Sequence, residues 1–260
     1  MKFKIVLTPE NNISRIPSSP YDTCATFYNV IGEDIHNKLG MKPIAIGKVY
    51  QNHSSVDRTY EDSDIIYTGD VNINIGVLND EMSVKIYNKL NKVDNINING
   101  NQFKIKHINI IEPPKFEHVC IWNPVYGILT KSANEIQQEA EKLNITVSEV
   151  KLRGIVGNKG LSSIPSETDD KPTANLLVNS IKKHYESIYN ETSPEIKILI
   201  DRSIKSKTVT MKHNTKSKIW QAKILCAGSN DIQKLIWTLG VGVNTNMGLG
   251  EVNLTSTKNV

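Results

Sequence analysis

The chain has 260 residues and a formal net charge of +4, with 38% hydrophobic and 22% charged residues. This length and composition are typical of a globular protein with one large or two smaller domains. The sequence has no apolar run long enough to span a membrane and no signal peptide in MKFKIVLTPE, so we expect a cytoplasmic protein without a membrane partner.

The first half of the sequence predicts the order strand, helix, strand, strand, helix, strand. Apolar residues from Phe3 to Leu7 predict the first strand, and Ser19-Pro20 is a favourable start for a helix over about residues 21–39. Gly32 interrupts that helical pattern, so two short helices are an alternative to one. The further elements are strands at 44–50 and 65–77, a helix at 80–92, and a hairpin of 96–98 and 103–105 around Asn99-Gly100.

Pro113-Pro114 separates this half from the second, because neither proline can donate to a strand ladder. We therefore predict domains at residues 1–112 and 116–260. The second half predicts a strand at 119–129, an inserted helix at 132–143, a loop at 154–170, a helix at 177–188, strands at 196–200, 208–212 and 220–226, a helix from 231 and a strand at 251–254. Both halves follow the order β-α-β-β-α-β, so the predicted fold class is α+β, with two tandem ferredoxin-like domains.

Basic residues cluster between positions 202 and 218, where the sequence has no acidic residue. They are Arg202, Lys205, Lys207, Lys212, Lys216 and Lys218. We predict that they form a basic hairpin. A hairpin of this kind is either a solvated surface or a contact for the phosphates of a nucleic acid, and its position just before a glycine-rich segment favours the second interpretation.

That segment, GVGVNTNMGLG, covers residues 240–250 and is called the glycine segment below. Its glycines are Gly240, Gly242, Gly248 and Gly250; a helical pattern precedes it and a strand pattern follows it. Because glycine lets backbone N–H groups approach a phosphate, the segment is a candidate site for an anion such as an RNA backbone. Helix C-caps and strand bulges are the alternative use of such glycines. The dinucleotide-binding fingerprint has the reverse order of elements, which disfavours a Rossmann site.

Six stretches of the chain carry a resemblance to a known family. They are KSKTVTMK, KIWQAKILCAG and GVGVNTNMGLGEVNL within residues 204–254, and FKIVLTPE, ATFYNVI and IHNKLGMKP within residues 1–50. They resemble the CRISPR-associated endoribonucleases that cut a long repeat transcript into guide RNAs. That family belongs to the repeat-associated RNA-binding superfamily and is built from tandem ferredoxin-like domains. Residues 128–172 match it little.

The resemblance also implies where RNA is bound. Family members often have a basic residue between the two glycine pairs, whereas this chain has VNTNM there. Contact with RNA would then rest on the glycine backbone and on Asn244, Thr245 and Asn246, together with the basic hairpin.

The catalysis implied by the resemblance is metal-independent: a 2′-OH attacks the adjacent phosphate and leaves 2′,3′-cyclic phosphate and 5′-OH ends. The matching residues are His36, Lys42 and Tyr28. Histidine can transfer a proton near neutral pH, and lysine can stabilise the charge on the phosphate. In one straight helix Tyr28 and His36 would lie about 12 Å apart along the axis, so a joint role requires a bend at Gly32. Packing in the helix's buried stripe is the alternative for Tyr28, and a solvated loop is the alternative for Lys42.

Other candidates and functions stay open. His53, in QNHSSVDR with Arg58, is the second histidine candidate. Cys24, Cys120 and Cys226 are too far apart in sequence for a disulfide framework or a metal-ligand pair, so we expect reduced thiols and no metal or cofactor. A non-catalytic RNA-binding subunit of a CRISPR effector complex is the alternative to the endoribonuclease. An unrelated phosphate-binding enzyme is disfavoured by the order of elements. Dimers are common in the family, so a homodimer is a further expectation.

Overall fold

The computed structural model describes residues 1–17, 20–32, 43–51, 59–61, 64–129, 138, 141–142, 171–201, 203–210, 216–243 and 245–258. Within these residues the protein is α+β, and the strands of its two larger sheets pair antiparallel. The chain divides into two compact units. The first unit contains Met1–Pro114 and also the later segment Thr245–Gly248, whereas the second contains Lys115–Val209 and the residues on either side of that segment.

The first unit has β1 (Lys2–Pro9), β2 (Ile13–Pro17), α1 (Pro20–Ile31), β3 (Ile44–Ile46), β4 (Thr59–Glu61), β5 (Asp64–Thr68), β6 (Val71–Val77), α2 (Asp80–Leu90), β7 (Asn95–Ile98) and β8 (Asn101–Ile111). The second has β9 (Val119–Pro124), α3 (Lys171–Tyr189), β10 (Lys197–Ile200), β11 (Lys205–Thr210), β12 (Lys216–Gln221), β13 (Ile224–Ala227), α4 (Asn230–Leu239) and β14 (Val252–Lys258).

The main sheet of the first unit has the strand order β3-β6-β1-β8-β7. Alternate residues of its central strand, Phe3, Ile5 and Leu7, are fully buried, and they form one core with the apolar residues of α1 and α2. This is the expected result of a period-2 apolar pattern against helices with a period near 3.6. The predicted second helix is confirmed as α2, whose N-cap Asn79 accepts a hydrogen bond from the Met82 backbone N–H at 2.8 Å.

Two strand predictions for this unit were wrong. The strand predicted at 44–50 ends at Ile46, as β3. Residues 65–77 do not form a single strand: β5 pairs with β2 and β4 in a separate sheet, and β6 joins the main sheet. The chain turns between them at Gly69, which has φ of +81° and donates a backbone hydrogen bond to Asn12 O. The turn was not predicted because apolar residues alternate on both sides of it. Such alternation indicates which side chains of a strand are buried, but not which sheet the strand joins.

Helix α1 ends earlier than its sequence pattern. Gly32 has φ of +112° and donates its N–H to Tyr28 O at 2.9 Å, which closes the helix at Ile31. The remainder of the predicted helical stretch, residues 33–39, lies outside the described residues. The objection that one straight helix separates Tyr28 from His36 therefore does not apply.

The sheet of the second unit has the order β10-β13-β9-β14. Gln233, on α4, is fully buried against it: its Oε1 accepts from Trp122 Nε1 at 3.0 Å and its Nε2 donates to Cys226 O at 3.0 Å. Such buried amide hydrogen bonds fix the helix on the sheet more specifically than apolar contact alone.

The predicted basic hairpin corresponds to β11 and β12, which form a two-stranded sheet. The predicted strand at 220–226 was wrong, because β12 ends at Gln221 and β13 begins at Ile224 in the other sheet. Most of the predicted inserted helix at 132–143, and all of the loop at 154–170, lie outside the described residues. Among the helices that are described, none is both long and apolar enough to cross a membrane.

Candidate functional site

The glycine segment begins as the C-terminal cap of α4. Gly240 has φ of +81° and donates its N–H to Ile236 O at 2.8 Å. Two further backbone donors are satisfied within the second unit: Val241 N–H donates to Gly250 O at 2.9 Å, and Val243 N–H donates to Leu129 O at 2.8 Å. Because these N–H groups already donate hydrogen bonds within the protein, a phosphate would have to be bound by other groups of the segment.

Gly242 is required by close packing. Its φ is +87°, and a Cβ there would lie 2.4 Å from Leu129 O. Its carbonyl accepts a hydrogen bond from the buried Ser180 Oγ at 2.8 Å, which joins the segment to α3. The structural use of glycine that was the alternative in the sequence therefore applies to Gly240 and Gly242. An RNA-binding role for the glycine backbone remains a prediction.

The middle of the segment groups with the first unit. Thr245–Met247 forms a short 3-10 turn, and the adjacent Gly248 is buried. A Cβ on Gly248 would lie 2.3 Å from Pro20 Cβ and 3.4 Å from Cys24 Sγ, so the turn packs directly on α1. Two stretches that are far apart in sequence, and that the resemblance singled out separately, thus meet in one unit.

Tyr28 lies beside this turn. Its side chain is only 5% exposed and belongs to the core of the first unit, with Cys24 and Ile31. Burial raises its pKa above the ordinary value, while the nearby side chain of Asn246 opposes that shift in part. Burial therefore makes the phenol a weaker acid than an ordinary tyrosine, and Tyr28 packs in the buried stripe of α1, which was the alternative in the sequence.

Two residues of the predicted catalytic group, His36 and Lys42, lie outside the described residues. The same holds for Asn244, Arg202 and Lys212 among the predicted RNA contacts, and for the second histidine candidate His53 with Arg58. The structure brings together Tyr28 and Asn246 from the predicted set, and their catalytic and RNA-binding roles remain predictions.

The described lysines of the basic hairpin differ in environment. Lys205 and Lys207 are both exposed on β11. The Lys207 ammonium lies 3.7 Å from the centre of the Tyr126 ring, and partial desolvation lowers its pKa. The aromatic contact restrains the Lys207 side chain, whereas Lys205 is exposed without such a contact in the described part of the chain.

Two hydrogen bonds near the site were not predicted from the sequence. Ser180 Oγ donates to Gly242 O, and Lys89 Nζ donates to Ile31 O at the end of α1. A cation at a helix C-terminus is favoured by the helix dipole. No sequence signal points to either contact, because each joins residues about sixty positions apart through tertiary packing. Within the described part of the chain, no group of three or more His, Cys, Asp or Glu side chains could hold a metal ion.

Part of the second half of the chain, with the glycine segment, matches a known protein family. Residues 134–254 match the family described as CRISPR associated protein Cas6, C-terminal. The resemblance to the CRISPR repeat-RNA processing family is thereby confirmed over that part of the chain. A comparison with curated protein sequences gave no match.

Solved structures resemble the chain over almost its whole length. A structure described as CRISPR associated protein Cas6 has a TM-score of 0.72 at 18% identity, covering 98% of this chain and 99% of that one. A Cas6-related protein from Pyrococcus furiosus has a TM-score of 0.73 at 16% identity, covering 99% of each. A third, described as an RAMP protein binding different RNA substrates, has a TM-score of 0.71 at 15% identity, covering 98% and 100%. These likenesses establish an α+β fold similar to that of Cas6 proteins.

Proposed function

We propose that this protein binds CRISPR repeat RNA and cleaves it, as a metal-independent endoribonuclease, into guide RNAs. The observation that carries the proposal is the match of residues 134–254 to the Cas6 C-terminal family, together with a Cas6-like fold over 98% of the chain. The approach of the glycine segment to Tyr28 supports it, because it joins a predicted RNA contact to a predicted catalytic side chain.

Two tandem ferredoxin-like domains, at residues 1–112 and 116–260, are part of the proposal. In a β-α-β-β-α-β unit, the first strand lies between the third and the fourth strand of the sheet. The main sheets have this arrangement, as β6-β1-β8 and as β13-β9-β14. Helices α1 and α3 follow the first strands, and α2 and α4 follow the third. This order supports the ferredoxin-like assignment in both domains.

The proposed chemistry needs no metal ion. The 2′-OH attacks the neighbouring phosphorus, the bond to the departing 5′-oxygen breaks, and the products carry a 2′,3′-cyclic phosphate and a 5′-OH. His36 transfers a proton, and Lys42 stabilises the negative charge on the phosphate. Tyr28, the third residue that the resemblance implies, donates a hydrogen bond to the reacting group.

RNA is held mainly through its backbone. The exposed residues Lys205 and Lys207 contact phosphates, and Arg202 and Lys212 are the further basic contacts proposed from the sequence. The glycine segment contributes Asn244, Thr245 and Asn246 beside its glycines. The repeat RNA is the proposed partner, and a CRISPR effector complex and a second copy of the chain are further proposed partners in the cytoplasm.

Cleavage in the presence of EDTA tests this function. A labelled CRISPR repeat RNA should be cut at one site by the wild-type protein, and the 5′ fragment should carry a cyclic phosphate. His36→Ala should lower the rate at saturating protein by at least about 100-fold, because it removes a proton-transfer group. His107→Ala, at an exposed histidine of β8, is the matched control and should cleave at the wild-type rate.

A non-catalytic RNA-binding subunit is the second candidate function. It is favoured by the structural likeness to a protein described only as binding different RNA substrates. Tight binding of the repeat RNA by wild-type protein, with no cleavage in EDTA or in Mg²⁺, would replace the first proposal with this one. Absence of binding would overturn both.

A further inference from the structure

The outer edge of β8 is only partly covered in the first unit. Strand β7 pairs with β8 over residues 101–104, and the Ile105 backbone N–H then donates to Asp94 O at 3.0 Å on the same side. Beyond this point β8 pairs with β1 on its inner side, and no described strand pairs with its outer side. Residues 106–112, which are followed by Pro113, are called the open edge below.

The backbone groups of two residues point outward from the open edge. In an antiparallel sheet, successive residues of a strand direct their N–H and C=O groups to opposite neighbours. The Val77 N–H donates to Met1 O at 2.8 Å, so odd-numbered residues at the start of β1 face β6 and even-numbered residues face β8. Lys4 therefore faces its partner in β8, Asn109, and the residues on either side of Asn109 direct their groups away from β1. These two residues are Ile108 and Ile110.

Apolar side chains lie along the open edge. Ile110 is 53% exposed although it lies opposite Phe3, whose side chain is fully buried in the core. Tyr87 of α2 stacks on Phe3 with ring centres 6.0 Å apart, and Val84, one helical turn before Tyr87, is 57% exposed. A long apolar strand edge is a template for pairing with another strand, and soluble proteins usually protect such an edge. The open edge is therefore a candidate surface for a partner strand.

The sequence of the open edge is self-complementary about its central residue, Asn109. An antiparallel second copy with its two-fold axis at Asn109 places Ile108 opposite Ile110 of that copy, and Ile110 opposite Ile108. Cross-strand pairs of β-branched side chains stabilise a sheet, and the outward N–H and C=O groups of these residues then bond to each other. A two-fold contact of this kind uses the same surface on both copies.

Charge complementarity supports the same arrangement. It places Lys106 opposite Glu112 of the second copy at each end of the paired segment. Glu112 is exposed, and Lys106 is half exposed while its ammonium lies 2.7 Å from the Asp70 carboxylate. An ammonium has three N–H donors, so Lys106 can bond to Asp70 and to Glu112 at once. Opposite charges directly across a strand pair stabilise it, whereas like charges destabilise it.

We propose that the open edge is the contact surface between two copies of this chain, which pair antiparallel about Asn109 in one continuous sheet. Pairing stops at a dimer, because the two-fold contact is closed and Pro113 ends the edge. This inference gives the proposed second copy a surface on this chain, and it does not depend on RNA cleavage.

Sedimentation of the full chain without RNA tests the proposal. Wild type should form dimers in a concentration-dependent way between about 1 and 100 µM. Ile110→Lys should raise the dissociation constant of the dimer by at least about 10-fold, because it buries an ammonium against apolar side chains. Leu199→Lys is the matched control, on the edge strand β10 where the leucine is 62% exposed, and it should dimerise like wild type. A wild type that stays monomeric, or equal losses in the two variants, would overturn the inference and leave the proposed cleavage untouched.

A cysteine at the two-fold axis tests the register. Asn109→Cys would lie opposite the same residue of the second copy, at a separation that a disulfide can bridge. With copper phenanthroline as the oxidant, this variant should give a covalent dimer on a non-reducing gel. Asn253→Cys, on the edge strand β14, is the matched control and should stay uncrosslinked, as should wild type, whose Cys24, Cys120 and Cys226 are buried. A dimer that Asn109→Cys does not crosslink would contradict the proposed pairing and overturn the inference.

Discussion

Burial controls the chemistry of ionisable side chains close to the glycine segment. On α3, His184 Nδ1 lies 3.0 Å from Ser180 O, and because a carbonyl oxygen only accepts, this nitrogen carries the proton. Desolvation lowers the pKa of His184, and the hydrogen bond to Ser180 O opposes the shift in part. The same Ser180 donates to the Gly242 carbonyl, so an imidazole with a lowered pKa contacts a residue that supports the segment.

His184→Gln should change how stability depends on pH. As pH falls through the ordinary histidine pKa of about 6.5, the unfolded chain gains a proton that the folded imidazole resists, so the wild type loses free energy of unfolding. The variant lacks this loss, and its stability relative to wild type should therefore improve between about pH 7.5 and 5. Urea unfolding across that range measures the difference, with His107→Gln controlling for removal of a histidine. A difference between wild type and His184→Gln that is constant with pH would contradict this prediction.

At the scale of elements, the glycine segment is stabilised by contacts that leave no room for side chains. Gly248 meets α1 at Pro20, and Gly242 meets the carbonyl of Leu129. By contrast, Gly100 in the β7–β8 turn has nearly the same backbone conformation, with φ of +82°, and a Cβ there would meet nothing within 4 Å. Gly100 is therefore required for its backbone conformation alone, whereas Gly242 and Gly248 are required for both conformation and packing.

Alanine substitutions separate these reasons. Gly100→Ala should cost about 1 kcal/mol, the cost of placing a residue with a side chain at positive φ. Gly248→Ala, with φ of +80°, should cost about 2–4 kcal/mol, because the added methyl also overlaps Pro20. Chemical unfolding followed by far-ultraviolet circular dichroism measures both. Equal losses at the two positions would show that the packing of the turn on α1 contributes nothing.

At the scale of the whole molecule, local clusters of basic residues contribute more to RNA binding than the net charge does. A net charge of +4 on 260 residues attracts RNA only weakly, whereas the basic hairpin concentrates its cations without an acidic neighbour in sequence from 202 to 218. Lys197, on β10, is also exposed but lies 3.1 Å from the Glu195 carboxylate. Proteins that bind phosphates through lysines release counterions, and the salt dependence of the affinity counts those contacts.

Lys205→Ala and Lys207→Ala should each weaken RNA binding and reduce the slope of log Kd against log salt concentration by about 1. The slope changes because each ammonium that contacts a phosphate displaces a counterion. Filter binding at several salt concentrations measures it, and Lys197→Ala is the matched lysine control, expected to retain the wild-type slope. A wild-type slope in Lys205→Ala would mean that this side chain does not touch phosphate.

Much of the fold followed from the sequence, and the errors share one cause. The pattern in Phe3, Ile5 and Leu7 predicted β1, and the stripe ending before Gly240 predicted α4, because periodicity and caps are local properties. The mistakes at residues 65–77 and 220–226 joined strands that belong to different sheets. Sheet membership is set by pairing with distant strands, which alternation along one strand does not encode.

The sequence by itself determined the mixed α+β elements, the glycine positions and the resemblance that singled out Tyr28 and Asn246 separately. Only the tertiary structure decided that the two side chains approach each other, that Gly248 packs on Pro20, and that Lys207 lies over Tyr126. The physical reason is the range of the interactions involved. Backbone propensities and caps act over a few residues, whereas a hydrogen bond or a close backbone contact between distant segments exists only after both have packed into the same core.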